Sequence, residues 1–355
     1  MNMEEKKPLC VLRGDGIDKD IVNSALKVLE TVASKYNLEF EYEFYDIGYN
    51  AYLKTESCYP DLTREAILNS KAVLLGAVGD PRANMLAFEK RPEKALLKMR
   101  KDLDLYANIR VMPFYISLKD CWLIKNGPID NYYSYVCREF GQGIYYGNHK
   151  LEKDYAEDTM FYDKNQISKI IDYSIDLTEK NKLKLSLIDK ANVLACSLLW
   201  RNIFDEKVSK YNICTNRYYI DFATAKCLID LEEMGVIVTS NMFGDIIADE
   251  IAACGGSLGL AASYSIGSKG QFFYEPIHGS APNLKNTDKM NPTGTILSAA
   301  YYFEHFYDRE DLKELIFEAI EKFYESYTSF DLNNGKEAKT CSEMTNIICD
   351  YIILK

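Results

Sequence analysis

Long apolar runs and an excess of positive charge are both missing from this sequence. Its 355 residues include 53 Asp and Glu against 42 Lys and Arg, which gives a formal net charge of −11 at pH 7. A field of that sign repels nucleic acid and anionic lipid, so we expect neither as a partner, and any anionic ligand must be bound by local cations. No uninterrupted apolar stretch approaches the roughly 18–20 residues of a membrane-spanning helix, which excludes a membrane protein.

Closely spaced cysteine pairs and an apolar signal core are missing as well. The 10 cysteines are scattered without a Cys-x-x-Cys pair, and residues 1–8 are mainly polar and charged. We therefore expect reduced thiols and a cytoplasmic location. At roughly 150 residues per domain, the length predicts about two domains, each large enough to bury a core without disulfides or a structural metal.

The common nucleotide-binding motifs are incomplete or absent. Gly14-Asp15-Gly16 begins like the dinucleotide fingerprint G-x-G-x-x-G, but Lys19 stands where the third glycine belongs. No G-x-x-x-x-G-K-[ST] sequence is present, so a P-loop has no support. A nicotinamide enzyme remains possible only on a scaffold other than the Rossmann fold, and the two glycines taken alone can equally serve a tight turn.

Short apolar runs followed by helical periodicity recur along the chain and predict an α/β protein. The apolar runs that predict strands are residues 9–12, 72–75, 185–189 and 235–239. Apolar residues at helical spacing follow in residues 17–29, 191–204, 244–254 and 308–355.

Residues 114–157 break this alternation. They are rich in Tyr and polar residues, with stretches typical of extended chain at 133–138 and 143–146. We therefore predict a β-rich insertion or arm there.

Two carboxylates are spaced for a metal site in the sequence from Asn241 to Glu250. If a helix begins at Gly244, Asp245 and Asp249 are four residues apart and lie on one face. Paired carboxylates repel each other unless a cation lies between them, and oxygen ligands suit Mg²⁺ or Mn²⁺. The alternative is a first helical turn enriched in acids by the helix dipole.

Several cationic side chains are candidates for chemistry near such a site. Lys190 follows the strand at 185–189, where desolvation and a nearby metal would favour its neutral form as a general base; alone, it could be a solvated surface lysine. Arg100, Arg110 and Arg138 could bind two carboxylates through bidentate contacts. Whether these arginines converge cannot be derived from their spacing.

An ordered set of motifs resembles the isocitrate and 3-isopropylmalate dehydrogenase family over nearly the whole chain. The matching segments are Arg13–Ile17, the three arginines, Gly143–Tyr145, Asp189–Leu194, Tyr219–Asp221, Asn241–Glu250 and Glu275–Pro282. The resemblance implies a two-domain, non-Rossmann α/β fold like that of isopropylmalate dehydrogenase, with the β-rich arm in the middle domain. The implied cofactor-binding domain comprises residues 1–105 and 259–355, and the substrate and dimerisation domain comprises 106–258.

The segment before Arg100 indicates which branch of the family the chain resembles. Arg91-Pro92-Glu93, followed by Leu96 and Leu97, is similar to the isopropylmalate branch, in which the Glu and the two Leu residues line the pocket for the isopropyl group. Burying that group on leucine is favourable, whereas a third carboxylate would be desolvated there without a partner. Val193 would complete the apolar wall. The alternative is that both leucines are helix core residues.

The resemblance also implies a metal-assisted oxidative decarboxylation. Arg100, Arg110 and Arg138 would hold the malate carboxylates. Asp221, Asp245 and Asp249 would hold Mg²⁺ or Mn²⁺ beside the substrate, which Asp221 would also contact. Lys190 would take the hydroxyl proton, and Tyr145 would protonate the enolate left by loss of CO₂. In the family, the lysine and Asp221 come from the second subunit, which implies a homodimer with shared active sites.

The implied cofactor is NAD, bound along residues 76–90 and 279–291. The cofactor-binding candidates are Gly76, Ala77, Val78, Gly79, His278, Gly279, Ser280, Ala281, Pro282, Asn283 and Asn291. Asn283 stands where NAD-using members carry an acid, so we expect weaker discrimination against NADP. Asp18 and Asp80 replace common glycines and could disturb the cofactor loops.

Two rival functions remain open at this point. One is oxidation of another malate-like acid, such as tartrate, malate, homoisocitrate or a methylmalate, by the same arginines and metal. The other is a non-catalytic paralogue that serves as a subunit partner, although such a subunit has no chemical reason to retain Lys190, Tyr145 and the three aspartates.

Overall fold

The computed structural model describes residues 8–332 and 334–355. Residues 1–7 of the polar N-terminal segment therefore lie outside the described part. The chain divides into two compact units, one formed by Met1–Asp104 with Ser257–Lys355 and the other by Leu105–Gly256. The roles of the two domains, cofactor binding for one and substrate binding with dimerisation for the other, stay predictions.

Strands and helices alternate through much of the described chain. The strands are β1 (Leu9–Arg13), β2 (Tyr42–Asp46), β3 (Ala72–Leu75), β4 (Leu105–Phe114), β5 (Tyr132–Glu139), β6 (His149–Leu151), β7 (Ala156–Asp158), β8 (Leu185–Asp189), β9 (Thr215–Tyr219), β10 (Val236–Thr239), β11 (Ala262–Gly267) and β12 (Phe272–Pro276). The α-helices are α1 (Asp18–Lys35), α2 (Tyr49–Thr55), α3 (Asp61–Asn69), α4 (Pro92–Asp102), α5 (Lys164–Asn181), α6 (Ala195–Val208), α7 (Ile220–Ile229), α8 (Asn241–Cys254), α9 (Thr293–Tyr307), α10 (Glu310–Ser326) and α11 (Cys341–Leu354).

The first unit contains five neighbouring strands in the order β2-β1-β3-β12-β11. β1 is parallel to β2 and β3, and β3 is parallel to β12, whereas β11 and β12 are antiparallel. Every residue of β3 is buried, as are the first four of β1. Continuous apolar runs of this kind belong to parallel strands covered on both faces, so the strands predicted at 9–12 and 72–75 are confirmed.

The second unit contains strands in the order β4-β5-β10-β8-β9. β4 and β5 are antiparallel, whereas the pairs β5–β10, β10–β8 and β8–β9 are each parallel. The carboxyl ends of these four strands therefore lie at the same edge of the sheet. Arg138, Lys190, Asp221 and Asn241 occur where these strands end, so the topology brings them to that edge.

Three local predictions are wrong in their details. α8 begins at Asn241, not at Gly244, and α6 begins at Ala195, not at Ala191. Residues 144–146 form a 3₁₀ turn instead of extended chain. The turn begins after Gly143, whose φ of +91° favours glycine; a Cβ there would also lie 2.2 Å from the Tyr162 hydroxyl.

Other features of the sequence correspond to definite elements. The predicted β-rich segment contains β5 and the small antiparallel pair β6–β7. The helical tail forms α10 and α11. All 10 cysteines are free thiols. Within residues 8–332 and 334–355, no helix combines the length and apolar character needed to cross a bilayer.

Candidate active site

Asp245 and Asp249 lie one turn apart on α8 and share one guanidinium group. Arg110 on β4 donates from Nη2 to Asp245 Oδ1 at 2.8 Å and from Nη1 to Asp249 Oδ1 at 3.0 Å. The helical spacing predicted for the two carboxylates is therefore confirmed. The positive group between them is the guanidinium of Arg110, a residue that was predicted to bind the carboxylates of the substrate.

Arg138 and Tyr145 complete the surroundings of Asp245. Arg138 Nη1 donates to Asp245 Oδ1 at 2.5 Å, and the Tyr145 hydroxyl donates to Asp245 Oδ2 at 3.1 Å. Three predicted site residues, Arg110, Arg138 and Tyr145, thus meet around the carboxylate of a fourth, Asp245, with Asp249 beside them. We call these five residues the Asp245 cluster.

Burial and charge act in opposite directions in this cluster. Burial alone would raise the pKa of Asp245, but the charges of Arg138 and Arg110 outweigh it and lower that pKa. For Asp249, burial and the charge of Asp245 prevail over Arg110, so its pKa is raised. Burial and the Asp245 charge raise the pKa of Tyr145 above its ordinary value.

Lys190 forms a second group with Asp221. Its Nζ donates to Asp221 Oδ1, a contact that lowers the pKa of that carboxyl. The buried carboxylate of Asp189 fixes the turn that carries Lys190 because it accepts from the Ala191 amide at 3.0 Å and, in a bidentate pair, from Arg201 at 2.7 and 2.8 Å. Asp189 was quoted only as part of a matching segment and was given no role, and Arg201 was not predicted at all.

Asp221 does not join the other two predicted metal ligands within one chain. Among the residues that the structure describes, no group of three or more His, Cys, Asp or Glu side chains is arranged to hold a metal ion. The pair Asp245 and Asp249 nevertheless fits a divalent cation in its chemistry, since two carboxylates one turn apart already converge on a positive group. The triple ligand set stays a prediction.

The predicted specificity residues occupy one face of α4. Pro92, Ala95 and Met99 are the buried residues of this helix. Leu96 and Leu97 are outside that set and are partly exposed, which goes against the alternative that both are core residues. Glu93 and Arg100 extend the same face at helical spacing.

Other predicted substrate contacts have different surroundings. Arg100 Nη2 donates to Glu275 at 3.1 Å within the first unit. Val193 in the second unit is 70% exposed. Substrate binding by Arg100 and Val193 stays a prediction.

The predicted cofactor loop 76–79 is held by two buried aspartates. Asp18 Oδ1 accepts from the amides of Gly76 and Ala77, each at 2.9 Å. Asp15 accepts from the amide of Gly79, also at 2.9 Å. Asp18, one of the two aspartates that could disturb the cofactor loops, forms hydrogen bonds to this loop, and burial raises the pKa of Asp18 to about 7.

The second predicted cofactor segment contacts the same loop. The Ser280 hydroxyl donates to the Gly79 carbonyl at 2.6 Å, and the Ile17 amide donates to the Ser280 carbonyl at 2.9 Å. Asp80 pairs with Arg82 and caps the 3₁₀ turn that follows. Both unusual aspartates therefore have defined contacts.

The remaining cofactor candidates differ in accessibility. Asn283 is exposed, whereas Asn291 is buried. The Asn291 side chain donates to Tyr324, Ser329 and Asp331 and accepts from the Thr293 amide, so it stabilises the segment beside α9. His278 Nδ1 lies 2.9 Å from the Gly279 carbonyl oxygen, and burial lowers the His278 pKa.

Comparison with known proteins decides the family. A sequence model of the family described as isocitrate/isopropylmalate dehydrogenase matches residues 8–348. The chain belongs to this family. It is 40% identical over 324 residues to the 3-isopropylmalate dehydrogenase of Aquifex aeolicus, covering 90% of this chain and 89% of that relative. The enzyme of the same name from Bacillus subtilis is 36% identical over 349 residues, with coverage of 96% and 95%.

Solved structures support the same assignment. An isocitrate dehydrogenase from Methylococcus capsulatus is similar with a TM-score of 0.86 at 26% identity, over 98% of this chain and 99% of that one. A beta-decarboxylating dehydrogenase from Thermococcus kodakarensis has a TM-score of 0.79 at 26% identity, over 97% and 96%. The predicted family, fold class and enzyme class, a decarboxylating dehydrogenase, are confirmed.

Proposed function

We propose that this dehydrogenase oxidises and decarboxylates 3-isopropylmalate with NAD and Mg²⁺ or Mn²⁺. The product would be 2-oxo-4-methylpentanoate, the oxo acid precursor of leucine, made in the cytoplasm. The observation that carries the substrate assignment is the face of α4 on which the partly exposed Leu96 and Leu97 accompany Arg100. That face offers apolar contact to a branched group and a cation to a carboxylate.

The Asp245 cluster supplies groups for binding and proton transfer. The guanidinium groups of Arg110 and Arg138 would bind substrate carboxylate in place of Asp245 and Asp249. The two aspartates, with Asp221 of the partner subunit, would hold the divalent cation, which would polarise the substrate hydroxyl and its neighbouring carboxylate.

Two side chains would move the protons. Lys190 would accept the hydroxyl proton while NAD, the hydride acceptor, is bound along 76–79 and 278–283. Loss of CO₂ leaves an electron pair on the carbon that carried it, and Tyr145 would protonate that carbon. A tyrosine phenol carries its proton at neutral pH, as this donor role requires.

A second copy of the chain is the partner that we propose. α7, which carries Asp221 in its first turn, buries only Ala223 and Cys227. Apolar side chains that stay 42–54% exposed on α7 and the neighbouring α8 are Phe222, Leu228, Ile229 and Ile246. A shared homodimer interface would cover this face and bring Lys190 and Asp221 to the partner's Asp245 cluster.

The substrate is tested by measuring NADH formation with Mn²⁺ on 3-isopropylmalate, tartrate, malate, homoisocitrate and a methylmalate. We expect the highest kcat/KM on 3-isopropylmalate, and Leu97→Ser should reduce that value about tenfold without reducing turnover of malate equally. Leu68→Ser, at another partly exposed leucine, is the control. A higher kcat/KM on another acid would contradict the substrate, and no turnover of any acid would favour the non-catalytic paralogue.

A further inference from the structure

Asn241, the first residue of α8, makes four contacts that no role assigned above uses. Its Oδ1 accepts from Arg138 Nε at 3.1 Å and from Arg138 Nη2 at 2.8 Å. Its Nδ2 donates to the Gln142 carbonyl at 3.0 Å, and its backbone amide donates to the Tyr162 hydroxyl at 2.9 Å. Asn241 is 1% exposed, so these protein groups, and not solvent, satisfy its hydrogen bonds.

The chemistry of these partners requires an amide at position 241. A guanidinium group only donates hydrogen bonds, so the side-chain oxygen must face Arg138, while the Gln142 carbonyl requires a donor on the other side. An aspartate would direct an oxygen at that carbonyl, and an aliphatic side chain would leave both partners unsatisfied. Asn241 therefore fixes one edge of Arg138 and is itself fixed from three sides.

Two further residues in the first turns of α8 lie against the same arginine. A side chain on Gly244 would place its Cβ 2.8 Å from both Cβ and Cγ of Arg138, so only glycine allows this close approach. Asp245 accepts from Nη1, the third nitrogen of the same guanidinium group. Asn241, Gly244 and Asp245 together form what we call the Arg138 socket.

We propose that Asn241 is a positioning residue that holds Arg138 in the orientation in which Nη1 meets the substrate carboxylate. The inference rests on the proposed function, since it takes Arg138 as a substrate contact. By occupying Nε and Nη2, Asn241 restricts the arginine to one orientation before substrate arrives. A preorganised guanidinium loses less conformational freedom on binding, so the residue favours substrate affinity over the rate of the chemical step.

The first test compares Asn241→Ala with the wild-type enzyme on 3-isopropylmalate with Mn²⁺. We expect the KM for the acid to rise about tenfold, with kcat changed less than about threefold and the KM for NAD unchanged. Asn181→Ala is the control because the Asn181 side chain likewise accepts a hydrogen bond, from Tyr135, and donates one to a backbone carbonyl, that of Leu177, but contacts no arginine in these hydrogen bonds. A purely structural role would lower the melting temperature of both variants and leave KM alone.

The second test asks whether Asn241 acts through Arg138. In an Arg138→Lys background, Asn241→Ala should raise KM by less than about twofold, because lysine cannot use the fork-shaped contact. An undiminished tenfold effect in that background would overturn the proposal. Wild-type turnover of the acid reports separately on the proposed function.

A crystal structure of Asn241→Ala tests the inference even if the enzyme uses another acid. We expect the Arg138 guanidinium to rotate away from its contact with Asp245. An unmoved guanidinium, with the Nη1 contact intact, would show that Asn241 does not position it.

Discussion

We predict that a divalent cation and the substrate diacid each strengthen the binding of the other. In the structure, Arg110 donates to Asp245 and Asp249, and Arg138 donates to Asp245. The groups proposed to hold the cation are therefore paired with the groups proposed to hold the diacid. A diacid that binds the two guanidinium groups breaks their ion pairs and leaves the Asp245 and Asp249 carboxylates ready to bind the cation. In the same way, a cation that binds the carboxylates leaves the guanidinium groups ready to bind the diacid.

The size of this coupling follows from the three ion pairs. The arginine side chains are 3% and 8% exposed, but those of Asp245 and Asp249 are 34% and 50% exposed, so water weakens each pair. At about 0.5–1 kcal/mol per partly exposed pair, three pairs give a coupling on the order of 2 kcal/mol. That corresponds to roughly a 30-fold change in affinity, within the usual range for coupled sites.

Calorimetric titration with Mn²⁺, with and without saturating 3-isopropylmalate, measures this coupling. We expect Mn²⁺ to bind roughly 30-fold more tightly when the diacid is present, and Asp249→Asn to weaken Mn²⁺ binding in both conditions. Asp172→Asn is the control, because Asp172 is 51% exposed and pairs with a lysine instead. Equal Mn²⁺ affinity with and without the diacid would refute the exchange of partners.

Three further outcomes are expected. Lys190→Met should lower the rate of hydride transfer at least about 100-fold in stopped-flow measurements while substrate binding remains measurable; a normal rate would remove Lys190 from the mechanism. Asn283→Asp should raise the ratio of kcat/KM for NAD to that for NADP, and an unchanged ratio would place the ribose elsewhere. Asp18 binds its proton more tightly in the folded state than in the unfolded one, so its contribution to stability is lost as pH rises through about 7. The free energy of unfolding in urea should therefore be lower at pH 8 than at pH 5, by on the order of 2 kcal/mol in the wild type and by less in Asp18→Asn. The same decrease in both proteins would contradict a raised pKa of Asp18.

The sequence was informative where a local pattern controls the structure. The apolar run at 185–189 predicts a strand, and β8 has those bounds. The spacing of Asp245 and Asp249 predicts a shared helical face, which requires only that the segment be helical. Family motifs then named Arg110, Arg138 and Tyr145, and the structure brings all three to Asp245.

Contacts between distant segments could not be predicted in this way. Asn241 and Arg138 are 103 residues apart, and their contact depends on β5 lying beside the strand that precedes α8. The quoted motif contained Asn241, but nothing in its spacing indicated that its amide would face an arginine. The turn at residues 144–146 was missed because the positive φ of Gly143 redirects a chain whose residues otherwise favour extended structure.

The location of Leu96 and Leu97 has a consequence for how this enzyme could diversify. They lie on α4 in the first unit, whereas Lys190, Tyr145 and Asp245 all belong to the second. Substitutions that reshape the α4 face therefore leave unchanged the segments that carry the residues proposed for proton transfer and metal binding. A library of variants restricted to residues 93–97 could therefore change which substrate side chain is accepted, while the residues proposed for decarboxylation stay the same.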